Sequence, residues 1–238
     1  MQTNKFHDLC VLIPAFNEEF KIVEVVNNLS KHFQNILIID DGSTDRTGFL
    51  CKSLPVKLIS HPYNMGTGAA FQSGINYLNN ETHIKYVITF DADGQHHLHD
   101  AINLAIEIQK VPEEIIFGSR FLSQKSNVPL IKRLTLNFAK KITNFFFNIS
   151  LSDAHMGLKA FKKSCFSKIE IHLNTYSYET ELIQQVSFHR IKFKEMPVNV
   201  TYSHYSKKKG QSIFNSLRIL EDMLKIYLKI FMKRRRAE

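Results

Sequence analysis

Residues 90–100 read FDADGQHHLHD, which sets Asp91 and Asp93 one residue apart, follows them with Gln95, and adds His96, His97 and His99. The carboxylates come at the end of the apolar run YVITF, and a strand points alternate side chains the same way. Both can then reach one point beyond the strand end. Hard oxygen ligands beside an amide suit Mg2+ or Mn2+, ions that take one or two carboxylates and leave the remaining positions to phosphate oxygens and water. Taken alone, a DxD also reads as an acidic turn that closes a strand. Zinc fits the histidines poorly, because His96 and His99 are one helical turn apart with no third ligand nearby. They read better as a solvated helix start beside the metal loop.

Two other stretches carry comparable chemistry. Asp40 and Asp41 end the apolar run NILIID, and Ser43 or Thr44 suits the N-cap of a following helix. A cap explains the hydroxyls, whereas two adjacent carboxylates at a strand exit fit hydrogen bonding to a base or ribose. Asn64–Ala70, NMGTGAA, puts small residues at a helix start, where backbone N–H groups favour phosphate, although the pattern is neither a P-loop nor GxGxxG.

These stretches need a scaffold that brings them together. Apolar runs at 9–16, 35–42, 56–60 and 86–94 alternate with helix-like stretches, the first spanning 18–33, and strands alternating with helices imply βαβ units and a mostly parallel sheet. In open sheets of this kind ligands bind beyond the carboxyl ends of the strands, where Pro14–Glu18, Asp40–Ser43 and Asp91–Gln95 would converge. A run at 115–121 precedes a helical pattern over 130–149. There Arg133, Asn137, Lys140, Lys141, Asn144 and Asn148 form a polar stripe, and Leu134, Phe138, Ile142, Phe145 and Ile149 lie opposite, a face that suits a core or, beside the basic tail, a membrane surface.

The 238 residues, 44% hydrophobic and 22% charged, argue against wholesale disorder. Cys10, Cys51 and Cys165 are scattered without CxxC spacing and read as reduced core thiols. MQTNKFHDLC has no apolar run of signal-peptide length. Much of the net charge of +9 lies near the end, where residues 207–236 hold ten Lys and Arg against Glu221 and Asp222. Residues 213–232 contain thirteen apolar side chains, with Arg218, Asp222, Lys225 and Lys229 on one stripe. That spacing predicts a helix lying on a membrane surface instead of crossing it, with 233–236 adding attraction to anionic lipid.

Taken together, VLIPAFNEE, IDDGSTDRT, NMGTGAA, FDADGQ, GSRF and SDAHMGLKAF, in this order, resemble the family 2 glycosyltransferases of the GT-A fold, and within them the polyprenol-phosphate (dolichol-phosphate) mannosyl- and glucosyltransferases. The resemblance covers residues 9 to about 212. It implies an α/β fold with a mixed, mostly parallel, Rossmann-like sheet flanked by helices, a catalytic domain over 1–212, and the amphipathic basic helix over 213–238. It implies a nucleotide-sugar pocket from Pro14, Phe16, Glu18, Asp41, Asp91 and Lys207, with a divalent metal, Mg2+ or Mn2+, on Asp91, Asp93 and Gln95. Asp93, Asp153 and Arg120 would be catalytic, and Arg133 and Gly157 would serve the acceptor. Where the family usually has prolines after the histidine, this chain has His97, Leu98 and His99.

The implied activity is inverting, metal-dependent transfer of a hexose from a GDP- or UDP-sugar to a polyprenyl phosphate. It would take place at the cytoplasmic face of a membrane, by a protein with no transmembrane span. One alternative acceptor is a saccharide of a cell-surface glycan; another reading is a catalytically silent nucleotide-sugar or membrane-binding module. The apolar stripe beside the basic tail argues against nucleic acid as the partner.

Overall fold

The computed structural model describes residues 6–123, 130–153, 157–175 and 177–201. Lys207 and the helix expected over 213–238 lie outside them. Seven strands form one sheet: β1 (Leu9–Ala15), β2 (Asn35–Asp40), β3 (Lys57–Ser60), β4 (Tyr86–Thr89), β5 (Ile115–Ser119), β6 (Lys159–Lys162) and β7 (Phe193–Pro197). Their order across the sheet is β3-β2-β1-β4-β6-β5-β7. Only β6 runs against its neighbours, antiparallel to both β4 and β5.

The central strands are buried on both faces because they are apolar on both. Along β1, Cys10 and Leu12 enter one core while Leu9, Val11, Ile13 and Ala15 enter the other, and β2 divides in the same way. The first core is closed by α3 (Thr67–Asn80), by α6 (Tyr178–Phe188) and by Phe147 at the end of α5 (Leu130–Phe147). The second is closed by α1 (Ile22–Leu29), α2 (Thr47–Cys51) and α4 (Leu98–Ile108). Phe71 of α3 is fully buried between Phe161 and Tyr178, with ring centroids 6.0 and 5.3 Å away. All three cysteines are free and buried, and burial pushes each thiol up to about 12.

Three local expectations change. The first helix is shorter than 18–33, because the Glu18 and Glu19 N–H groups bind the side chains of Thr47 and Asp45. Ser43 and Thr44 do not cap α2: Ser43 Oγ accepts from Asn17 N–H, and Asp45 Oδ1 accepts from Thr47 N–H. The apolar face expected on α5 is divided between core and solvent. Phe147 and Thr143 face inward with Ile142, Phe146 and Ile149 partly buried, whereas Leu134, Phe138 and Phe145 are 71%, 57% and 82% exposed. Three consecutive phenylalanines over 145–147 make both sides of the helix apolar, so a single stripe does not choose which side packs.

Candidate active site

Because β1, β2, β4 and β5 point the same way, their carboxyl ends share one edge of the sheet. The antiparallel β6 begins at that edge, which delivers Asp153 and Gly157 to it from a distant part of the chain. The topology therefore gathers the sequence-predicted stretches.

On one side of the edge the loops after β1 and β2 are tied to each other. Asn17, held at φ 55°, accepts from the N–H groups of Thr44 and Asp45 at 2.8 and 3.3 Å. Thr47 Oγ1 accepts from Glu18 N–H at 2.7 Å. Pro14 is half-buried on β1, Glu18 is buried, and Phe16 is left 39% exposed. Asp41 is buried, and its carboxylate accepts from the N–H groups of Met65 and Gly66 at 2.9 and 2.8 Å. His61 Nδ1 lies 2.7 Å from the same carboxylate, with its Nε2 2.9 Å from Ser73 Oγ. Gly68 N–H binds Asn174 O at 3.0 Å. The anion at the start of α3 is therefore the protein's own Asp41, which takes two of the N–H groups that suggested a phosphate cradle. Gly66 fits there at φ 98°, where a Cβ would lie 2.1 Å from Asn174 O.

At the centre, past β4, are Asp91 and Asp93. A Cβ on Gly157 would sit 2.0 Å from Asp91 Oδ2, so the Asp91 carboxylate occupies the space that a side chain at 157 would fill. Thr89 Oγ1 donates to Gly157 O and accepts from Lys159 N–H, fixing that approach. His96 Nε2 lies 2.9 Å from Asp91 Oδ2. Burial works against ionisation of Asp91, but the charge and hydrogen bond of His96, with Lys159 and Arg120 behind it, hold its pKa below the usual carboxylate value. Asp93 is pushed up, first by burial and then by the charge of Asp91. Gln95 folds back on Asp93, donating its backbone N–H at 3.0 Å and its side-chain amide as well.

The neighbouring cations are already paired. Lys159 Nζ lies 2.7 Å from Glu179 Oε1, both residues being buried. Arg120 grips Asp153 with Nε to Oδ2 at 2.6 Å, Nη2 to Oδ1 at 3.2 Å and its own backbone N–H at 3.1 Å. Glu195 of β7 supports that pair from below, accepting from Ser152 N–H and Oγ and from Asp153 N–H. Lys159 and Arg120 are each matched by a carboxylate, and His96 is the hydrogen-bonded neighbour of Asp91.

Arg133 is exposed on α5. The histidines diverge: His96 is buried on Asp91, His97 bonds Thr201 Oγ1, and His99 is exposed. No group of three or more His, Cys, Asp or Glu able to hold a metal exists among the described residues. Lys159, Glu179 and Glu195 were not among the expected site residues. A lone lysine inside the apolar run GLKAF was a signal for the first; Glu179 reads from sequence as an ordinary first-turn acid.

The model of the family described as "Glycosyl transferase family 2" matches residues 10–170. The chain belongs to glycosyl transferase family 2. An uncharacterized protein of Methanocaldococcus jannaschii is 34% identical over 221 residues, covering 90% of this chain and 89% of its own. The UDP-N-acetylglucosamine–dolichyl-phosphate N-acetylglucosaminyltransferase of Methanococcus voltae is 31% identical, with 90% of this chain and 94% of that protein covered. The fold matches glucosyl-3-phosphoglycerate synthase of Mycobacterium tuberculosis, crystallised with Mn2+, UDP and glucosyl-3-phosphoglycerate. The TM-score is 0.70 at 13% identity, over 92% of this chain and 77% of that one. This glycosyltransferase is thus close in sequence to dolichyl-phosphate sugar transferases, and its sheet is that of the GT-A fold. None of the helices among the described residues is long and apolar enough to cross a membrane.

Proposed function

We propose that this glycosyltransferase moves a hexose from a nucleoside diphosphate sugar to a polyprenyl phosphate at a membrane surface, with a divalent cation at Asp91, Asp93 and Gln95 and with inversion at the sugar. The observation that carries the reading is the pair of carboxylates past β4. Both fixed cations nearby are matched by Glu179 and Asp153, which leaves two carboxylates beside an amide, a donor set suited to Mg2+ or Mn2+. When bound, the cation would neutralise charge developing on the leaving diphosphate. The M. tuberculosis synthase holds Mn2+ and UDP on the same fold.

In the transfer, an oxygen of the acceptor phosphate attacks the sugar C1 from the face opposite the diphosphate. The C1–O bond breaks and its electron pair leaves with the nucleoside diphosphate. A phosphate monoester with a second pKa near 6 is already mostly ionised at neutral pH, so no strong base is needed. The structure of Asp153 agrees with that requirement, since both of its oxygens lie on Arg120. Asp153 then orients the acceptor side, and Arg120 and Arg133 supply positive charge toward phosphate. On the donor side, Asp41 shapes the loop 61–66 that walls the pocket with Pro14, Phe16 and Glu18. Lys207, outside the described residues, is assigned to the diphosphate by family resemblance.

The lipid acceptor is favoured over a saccharide by the Methanococcus voltae relative and by α5, which presents Leu134, Phe138 and Phe145 to solvent beside Arg133 and Lys141. An exposed apolar stripe rimmed by cations suits an anionic bilayer surface. The segment 213–238 extends the same chemistry, placing the protein peripherally on the cytoplasmic face. The test is an assay of purified protein with UDP-, GDP- and dTDP-sugars and a short polyprenyl phosphate. Sugar transfer that stops in EDTA and returns with Mg2+ or Mn2+ is expected; undiminished transfer in chelator refutes the cation.

A further inference from the structure

His96 is 9% exposed and packs edge-on against Phe90 at 5.5 Å. Its Nε2 lies 2.9 Å from Asp91 Oδ2, and its Nδ1 has no hydrogen-bond partner among the described residues. An ionised carboxylate has no proton to give, so Nε2 carries the hydrogen and donates it, which fixes the orientation of the ring. The loop around it is also held. His96 bridges Val200 across the backbone, Thr201 N–H binds Gln95 O, and His97 Nε2 lies 2.9 Å from Thr201 Oγ1. The backbone that carries the imidazole is therefore anchored to the 200–201 segment, and the ring itself is held by Phe90 and Asp91. Packing alone gives no reason for a histidine here, because a buried nitrogen without a partner is a penalty that an apolar side chain would avoid.

Resting on the cation site proposed above, we infer that His96 is its positioning residue: by donating from Nε2 to Asp91 Oδ2 it locks the carboxylate against Gly157 in the orientation that receives the cation. Ligating carboxylates are commonly held in this way by an outer hydrogen bond, whose loss lowers metal affinity about 10–100-fold. The residue acts through Asp91.

The test pairs two substitutions of nearly equal length, His96→Gln, whose amide keeps an N–H donor, and His96→Met, which has none. Mn2+ binding to the full chain is read by electron paramagnetic resonance with and without UDP, alongside the thermal midpoint of each variant. We expect His96→Met to weaken Mn2+ binding about 10–100-fold while its thermal midpoint holds or rises, and His96→Gln to recover most of the lost affinity. Wild-type Mn2+ affinity in His96→Met overturns the positioning role and leaves the cation site standing. Equal weakening in both variants also overturns it, since the donor would then not be what matters. If the unaltered protein binds no Mn2+ even with UDP, the cation reading itself fails, and this inference with it.

Discussion

The two halves of the sheet edge are held together by different physics. At β1 and β2 the loops are joined by hydrogen bonds between backbone N–H groups and short polar side chains: Asn17 to Thr44 and Asp45, Thr47 to Glu18, Asp41 to Met65 and Gly66. At β5 and β6 the joints are buried ion pairs, Arg120 with Asp153 and Lys159 with Glu179, and the half-buried Glu195 of β7 supports the 152–153 turn. A network of neutral donors is tolerant, because each bond contributes only about 0.5–1.5 kcal/mol. Buried pairs are unforgiving, because removing one partner leaves a charge without a match. At the centre, where Asp91 meets Gly157, close contact acts together with the His96 hydrogen bond, and space is the tightest constraint.

The largest effect is therefore expected at that meeting point. Gly157→Ala places a methyl group 2.0 Å from Asp91 Oδ2, so the carboxylate must move. Transfer should fall at least about 1,000-fold, as expected when a reacting site is misplaced by an ångström or more and loses its cation. The thermal midpoint should change far less than activity. Retained transfer with normal Mn2+ binding would show that Asp91 does not need its present position.

Next comes the charge-held half. Lys159→Met leaves Glu179 buried without its ion-pair partner and should cost about 3–5 kcal/mol, read by denaturant unfolding, while Lys159→Met combined with Glu179→Leu should restore most of it. The pH dependence has a definite sign. Burial raises the Glu179 pKa above its unfolded value, with Lys159 opposing it. In the single variant that opposition is gone, so the folded state binds the proton more tightly than the unfolded one, and stability falls as pH rises through the interval between their pKa values. The defect of Lys159→Met should thus be smallest in acid. A loss independent of pH would mean that packing, not charge, dominates this pair.

The third prediction addresses the neutral half. Asn17→Ala removes the acceptor for two N–H groups and puts alanine at φ 55°, a combined loss of about 2 kcal/mol. Asn17→Gly, which suits that backbone, should lose less. With the β1 and β2 loops loosened, KM for the nucleotide sugar should rise more than kcat falls. The reverse pattern would move these loops away from the donor.

This contrast also explains what could be read from sequence. Strands β1 to β4 and the carboxylates that end them were legible because apolar runs alternate with helical patterns and close on Asp41, Asp91 and Asp93. β6, α6 and β7 were not: four residues of KAFK carry little periodicity, and an antiparallel insertion between β4 and β5 is a property of the whole sheet. Family resemblance pointed to Asp153, Gly157, Arg120 and Asp91, but not to the contacts among them. That Arg120 would grip Asp153, or that Glu195 would cradle Ser152, depends on residues 33 to 43 positions apart meeting at one edge. Asp41 illustrates the opposite failure. Its position was legible, yet the hydrogen bonds it makes are to the protein's own loop, which a motif does not disclose.

The smallest predicted effect tests α5, where two neighbouring phenylalanines face different surroundings. Phe147 is 7% exposed within the core, and Phe145 is 82% exposed on the opposite side. Phe145→Ser should leave stability within about 0.5 kcal/mol, since a surface side chain loses little packing when replaced. Phe147→Ser should destabilise by about 3 kcal/mol or more. On anionic liposomes the order reverses in meaning. A phenylalanine that inserts only part of its ring into the interface contributes less than the roughly 1.5–3 kcal/mol of full burial, so Phe145→Ser should weaken binding by about 1 kcal/mol, roughly fivefold. Raising salt should weaken both the unaltered protein and the variant, because Arg133, Lys141 and the basic segment beyond residue 206 are unchanged. Co-sedimentation at two salt concentrations measures both dependences. Unchanged liposome binding by Phe145→Ser would remove the outward face of α5 from the membrane contact and leave the basic segment to carry it.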